Sequence, residues 1–130
     1  MTNEEKVHYW IDLSDYDRDS IEAMWRGGRY LYVGFVCHQT IEKIFKAYYT
    51  KLRKDSPPLV HRLMYLAEQG GFCDTLSEEQ KNFVRELDPL NIEARYPEYK
   101  ERLLKRLTPA YCTELITKTK ALQLWIKEKL

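Results

Sequence analysis

The run His38-Gln39-Thr40-Ile41-Glu42-Lys43-Ile44-Phe45-Lys46-Ala47 sets the tightest limit on how this chain can fold. At steps of three and four, Tyr30, Gly34, Cys37, Ile41, Phe45, Tyr48 and Leu52 share one stripe of a helix, while Gln39, Glu42, Lys43 and Lys46 fall largely off it. The spacing predicts a long amphipathic helix from about Arg29 to Lys54. Behind it, Pro57-Pro58 blocks continuation, because two amide donors are lost and the preceding residues are restricted.

The flanking chain reads as more helix. Thr2 followed by Glu5 is a helix-start pattern, and Val7, Trp10, Ile11, Ser14, Ile21, Met24 and Trp25 recur at helical intervals up to Arg26, across the polar stretch Asp15 to Ser20. Gly27-Gly28 is a short connection, which favours an antiparallel hairpin of the first two helices. His61 to Gln69 is a short helix closed by Gly70-Gly71, with Leu63, Leu66 and Ala67 facing inward. Ser77 with Glu78, Glu79 and Gln80 starts another, whose inner face is Phe83, Val84, Leu87 and Leu90 and which Pro89 interrupts or kinks. Tyr96-Pro97 closes that segment, and Glu98 to Leu107 is a short, mostly charged helical piece. Thr108-Pro109 caps and opens the last helix, where Tyr111, Leu115, Ile116, Thr119, Leu122, Trp125 and Ile126 form the apolar side. No strand alternation and no internal repeat appears. The expected architecture is an all-α up-and-down four-helix bundle with one or two short extra helices, built as a single domain over residues 1–130.

Length and composition agree with an ordinary packed core: 130 residues, 44% hydrophobic and 32% charged, suffice without metal or disulfide support. Lysine and arginine number 21 against 20 acidic residues, so a net charge of +1 excludes a chain that wraps nucleic acid by bulk electrostatics and confines any nucleotide site to a local patch. Cys37, Cys73 and Cys112 are odd in number and widely spaced, which points to reduced thiols rather than a redox pair. Neither a basic start with an apolar run nor a stretch of membrane-spanning length is seen, and a cytoplasmic protein is the expectation.

Beyond periodicity, three segments follow in order: Gln39-x-x-Glu42-Lys43-x-x-Lys46-Ala47, then Pro57-Pro58-Leu59-Val60-His61-Arg62-Leu63, then Asn91-Ile92-Glu93-Ala94-Arg95-Tyr96-Pro97. In these the chain resembles the HEPN domain family over nearly its whole length. The resemblance implies a helical bundle, a homodimer formed by helix packing, and frequent association with a minimal nucleotidyltransferase. Many members are metal-independent ribonucleases with an Arg-x4-6-His motif near the start of the last long helix. In that pairing a His moves the proton of an attacking ribose hydroxyl and an Arg stabilises charge on the phosphate. This chain has only His8, His38 and His61, none at that separation after an Arg, and its last helix has no His, so no catalytic residue is assigned.

What remains is a set of binding candidates, each with a structural competitor. Glu42, Lys43 and Lys46 could face a nucleotide, the lysines neutralising phosphate; solvated helix charges with a Glu42-to-Lys46 pair compete. His61 could act as a base or ligand, or merely position a helix start. Arg95 and Tyr96, with Lys100, Arg102, Lys105 and Arg106 nearby, could hold a phosphate and stack a base, or the proline could fix a turn with Tyr96 filling the end of the bundle. His38, beside the apolar stripe, is expected as a satisfied, partly buried imidazole, and no metal site or cofactor is expected from three dispersed histidines. Ten tyrosines and three tryptophans exceed what a small core absorbs, which suggests an interface. The sequence reading is thus a nucleotide- or nucleic-acid-binding module acting beside a minimal nucleotidyltransferase in a toxin-antitoxin-like system, without ribonuclease activity. A divergent metal-independent ribonuclease toxin and a helical adaptor without ligand are the alternatives.

Overall fold

The computed structural model describes residues 1–93 and 95–130; Ala94, within the third motif, lies outside the described residues. Helix α1 spans Asn3–Arg26, α2 Tyr30–Arg53, α3 Leu63–Gly70, α4 Glu78–Leu87, α5 Leu90–Glu93, α6 Pro97–Arg106 and α7 Pro109–Lys127, with a 3-10 turn at Cys73–Thr75. Among the described residues there is no strand, and the expected all-α bundle class holds.

Local chemistry sets the helix ends. The Thr2, Ser77 and Thr108 hydroxyls accept from the amides of Glu5, Gln80 and Tyr111, and Ser77 with Gln80 completes a reciprocal capping box. At Thr2 the reciprocity is incomplete, because the hydroxyl donates to the Glu5 carboxylate. Gly28, at φ 68°, takes the left-handed turn that lets the Gly28 and Arg29 amides donate to the carbonyls of Trp25 and Met24, reversing the chain into α2. The polar stretch Asp15 to Ser20 does not interrupt α1.

Helix α2 packs against each of the other helices and forms the centre of the bundle. Thirteen of its 24 residues are buried, against three in α1, so more than one stripe is covered. Gly34, Cys37, Ile41 and Phe45 of the expected stripe are buried, but Leu52 at its end is 44% exposed, and Val33, Ile44 and Ala47 are buried on other sides. A Cβ at Gly34 would sit 3.3 Å from Leu90 Cδ1 and 3.3 Å from Leu107 Cδ1, so its absence lets α2 approach the α5 and α6 region closely. Between α1 and α7 lies a polar seam. Ser14 Oγ donates to the Thr40 carbonyl at 2.7 Å, and Gln123 Nε2 donates to Ser14 Oγ and Asp15 Oδ1, both at 3.0 Å.

The three cysteines are free, with Cys37 and Cys112 in the core. Burial pushes the Cys37 thiol up to about 12 and the Cys112 thiol up to about 11, from the ordinary 9.0. Between those values the unfolded chain loses protons that the folded chain retains, so stability falls as pH rises above about 9. Urea denaturation is expected to give a midpoint that declines through this alkaline window, with a shallower decline in Cys37→Ala/Cys112→Ala; an identical slope in the variant would refute the assignment.

Candidate functional site

Helix α2 carries polar side chains into a mostly buried environment, and they find partners inside the molecule. Glu42 is 2% exposed. Its Oε2 accepts from Lys46 Nζ at 3.1 Å, one turn along the helix, and its Oε1 accepts from His61 Nδ1 at 3.0 Å. Lys46, also buried, lies 5.3 Å from the centre of the Trp10 ring. The expectation that Glu42 and Lys46 lie off the buried side is therefore corrected: α2 is enclosed widely enough to take both in as a compensated pair. Donation from His61 Nδ1 leaves Nε2 as the ring nitrogen available to an incoming group, on a side chain that is 51% exposed.

His38 departs from expectation too. It is fully buried, and neither ring nitrogen has a hydrogen-bond partner. Nδ1 stands 3.8 Å from Glu42 Oε1 and Nε2 stands 3.6 Å from Asp88 Oδ1, so the ring lies between two carboxylates without a hydrogen bond to either. Asp88 in turn accepts from the amides of Leu63 at 2.7 Å and Met64 at 3.4 Å. The first turn of α3 has no cap from its own Arg62, and this carboxylate from beyond α4 takes that role.

A second relay runs along the neighbouring edge of α2. Lys43 Nζ donates to Asp17 Oδ2 at 3.4 Å and to Gln39 Oε1 at 2.9 Å; Gln39 Nε2 donates to Asn91 Oδ1 at 3.2 Å. Asn91 Oδ1 also accepts from Arg95 Nη2 at 3.2 Å, and the Arg95 guanidinium lies 5.5 Å from the centre of the Phe35 ring.

Above these networks lies an open groove of about 480 Å³, lined by Val60, His61, Arg62, Asp88, Pro89, Asn91, Ile92, Arg95 and Tyr96. Of the six sequence candidates, the structure brings His61, Arg95 and Tyr96 together in this groove. Glu42 and Lys46 lie in the buried pair that holds His61, and Lys43 belongs to the relay that reaches Arg95. Sequence reasoning missed Arg62, Asp88 and Asn91 as groove residues. Arg62 was signalled by its place beside His61, and Asp88 by preceding the helix-breaking Pro89.

A larger groove of about 570 Å³ lies between α4 and α7, walled by Phe83, Leu122 and Trp125. Its charged residues are Glu79, Glu86 and Lys118, an acidic balance that disfavours phosphate, so the smaller groove is the better nucleotide candidate. Among the described residues, no group of three or more His, Cys, Asp and Glu side chains is placed to hold a metal ion, and no helix is long and apolar enough to cross a membrane.

The model of the HEPN domain matches residues 7–129. The chain belongs to the HEPN family. A solved structure similar to it is the crystal structure of TT1696 from Thermus thermophilus, with a TM-score of 0.80 at 17% identity, covering 96% of this chain and 98% of that one; at this identity the likeness is one of fold. No curated protein matches. HEPN membership supports a nucleotide- or RNA-binding helical module.

Glu42→Ala leaves Lys46 buried without its counter-charge and removes the anchor of His61, a loss expected to cost about 3 to 5 kcal/mol of folding stability. Replacing both members, in Glu42→Met/Lys46→Leu, is expected to recover most of it. Chemical denaturation of the two variants beside the parent checks this, and equal stability of Glu42→Ala and the parent would contradict the buried pairing.

Proposed function

We propose that this HEPN domain binds a nucleotide or nucleic acid in the groove between the start of α3 and the α5–α6 junction, and that it works without cleaving its ligand. The observation that carries the reading is the convergence of His61, Arg62, Arg95 and Tyr96 on one groove. The imidazole and two guanidiniums suit a phosphate, with Arg able to engage it bidentately; the Tyr96 ring suits a base, and Asp88 and Asn91 suit its polar edge. Lys43, Glu42 and Lys46 act beneath the groove by holding its walls rather than by touching the ligand.

A homodimer that acts beside a minimal nucleotidyltransferase, in a cytoplasmic toxin-antitoxin-like system, completes the proposal. It is supported by family membership and by the exposure of Tyr9, Tyr16 and Tyr32, large amphipathic rings that serve well at interfaces. Light scattering of the purified chain at the mass of two copies, and co-purification of a nucleotidyltransferase from the native host, are the expected results.

One observation favours the ribonuclease alternative. A buried carboxylate that fixes His61 through Nδ1 leaves Nε2 suited to proton transfer, and Arg62 and Arg95 line the same groove. Titration with adenosine and guanosine monophosphates and with a short unstructured RNA, followed by calorimetry and by gel analysis of the RNA, separates the readings. We expect saturable binding, intact RNA, and a loss of about tenfold or more in affinity in Arg95→Ala, as for removal of a charge-assisted phosphate contact. RNA cleavage that disappears in His61→Ala would instead make the protein a ribonuclease, and no binding would leave the adaptor reading.

A further inference from the structure

A buried imidazole gives up its hydration on folding, and without a hydrogen-bond partner nothing offsets that loss. His38 of α2 is in this position: it is fully buried and both of its ring nitrogens lack a partner. Two carboxylate oxygens stand just beyond bonding range, Glu42 Oε1 at 3.8 Å from Nδ1 and Asp88 Oδ1 at 3.6 Å from Nε2. Both are already engaged. Glu42 Oε1 accepts from His61 Nδ1 at 3.0 Å, and Asp88 Oδ1 accepts from the Leu63 amide at 2.7 Å.

The two existing bonds are not equally replaceable. Asp88 serves the first turn of α3, which has no cap from its own Arg62, so a carboxylate drawn away from Leu63 would leave a helix amide unpaired. His61 is different, because its side chain is 51% exposed and water can take the place of Glu42 when the ring swings away. Exchange of His61 for His38 on Glu42 Oε1 therefore trades a bond that water replaces for one that satisfies a buried ring. Residues 38 and 42 lie one turn apart on one face of α2, so closing the remaining gap requires a side-chain shift and no movement of a helix. Glu42 Oε2 keeps Lys46 Nζ at 3.1 Å, so the carboxylate has its counter-charge whichever imidazole it takes.

We propose that His38 is an internal competitor of His61 for Glu42, and that the groove alternates between two states of similar energy. In the held state Glu42 orients His61 toward the groove, and His38 goes without a partner. In the released state His38 donates to Glu42 Oε1, and the His61 ring turns free into solvent. A ligand that uses His61 binds the held state, so the released fraction lowers its apparent affinity in proportion. His38 is a positioning residue, since it lines no part of the groove and acts through Glu42. The exchange itself stands on burial and distance; its effect on affinity rests on the nucleotide-binding reading of the groove.

Urea denaturation of the full chain beside His61→Ala, His38→Phe and the double variant tests the exchange without a ligand. Loss of His61 is expected to raise the unfolding constant by less than about threefold where His38 can take its place, and by about tenfold or more in the His38→Phe background, where Glu42 Oε1 is left without a partner. Additive effects of the two changes would overturn the competition. Nitrogen-15 NMR of the imidazoles gives a reading that holds even if His38→Phe fails to fold. In His61→Ala the His38 Nδ1 is expected to carry a slowly exchanging, hydrogen-bonded proton that is weaker in the parent; a His38 ring with the same signals in both proteins, or both imidazoles fully bonded to Glu42 in the parent, would also overturn it. Calorimetry with adenosine monophosphate then reads the groove, with affinity expected to rise about threefold or more in His38→Phe. An affinity equal to that of the parent would overturn the control of binding by His38. No binding to either protein would remove the nucleotide reading, and the two ligand-free measurements would still decide the exchange.

Discussion

A carboxylate buried in the middle of the bundle governs much of what surrounds it. Glu42 lies on a helix enclosed by every other helix, where an unpaired charge would cost several kcal/mol, so its two oxygens must be matched from within. Lys46 matches one and His61 the other. The second of these contacts ties the loop after α2 back onto α2 itself and fixes where His61 and the adjoining Arg62 stand. The buried His38 ring stands between the same carboxylate and Asp88, whose oxygens hold the first amides of α3. The wall of the groove that follows Pro58 is thus anchored at its imidazole and at the helix start beyond it.

Arg95, which lines the same groove, has a support of its own. Arg95 is held by Asn91, Asn91 by Gln39, and Gln39 by Lys43, which also reaches Asp17 on α1. The motif residues Gln39, Glu42, Lys43 and Lys46 divide into two networks, one reaching His61 and the other Arg95, both of which line the groove. For these residues structural and functional roles are not alternatives: a side chain that cannot touch the ligand can still decide where a guanidinium or imidazole points. In physical terms this is preorganisation, since cations held by buried partners lose less freedom when a phosphate arrives.

The helices were legible from residue chemistry with little ambiguity. Thr2, Ser77, Thr108 and the two glycine pairs mark helix ends through hydrogen bonds and backbone angles that act within a turn or two, so neighbouring residues suffice to place them. His61, Arg95 and Tyr96 were legible as candidates because a His beside a Pro-Pro loop and an Arg-Tyr-Pro segment belong to recognisable motifs. The burial of Glu42, Lys46 and His38 was not legible. Helical periodicity assigns one face to the core, but α2 is covered on several, and whether a polar position is covered depends on helices more than a dozen residues away. Asp88 escaped notice for a related reason: its partners are amides of α3, which precedes it by a separate turn and helix.

By itself, the sequence determined a set of amphipathic helices, their caps and breaks, a near-neutral charge balance, and membership of a family defined by ordered motifs. These are local or additive properties, fixed by side-chain chemistry and spacing along the chain. Only the tertiary structure decided which charges would be enclosed and which presented, because enclosure is a property of several helices at once. It buried Glu42 and Lys46 as a pair, brought His61 and Arg62 together with Arg95 and Tyr96 in one groove, and left most of α6 open to solvent.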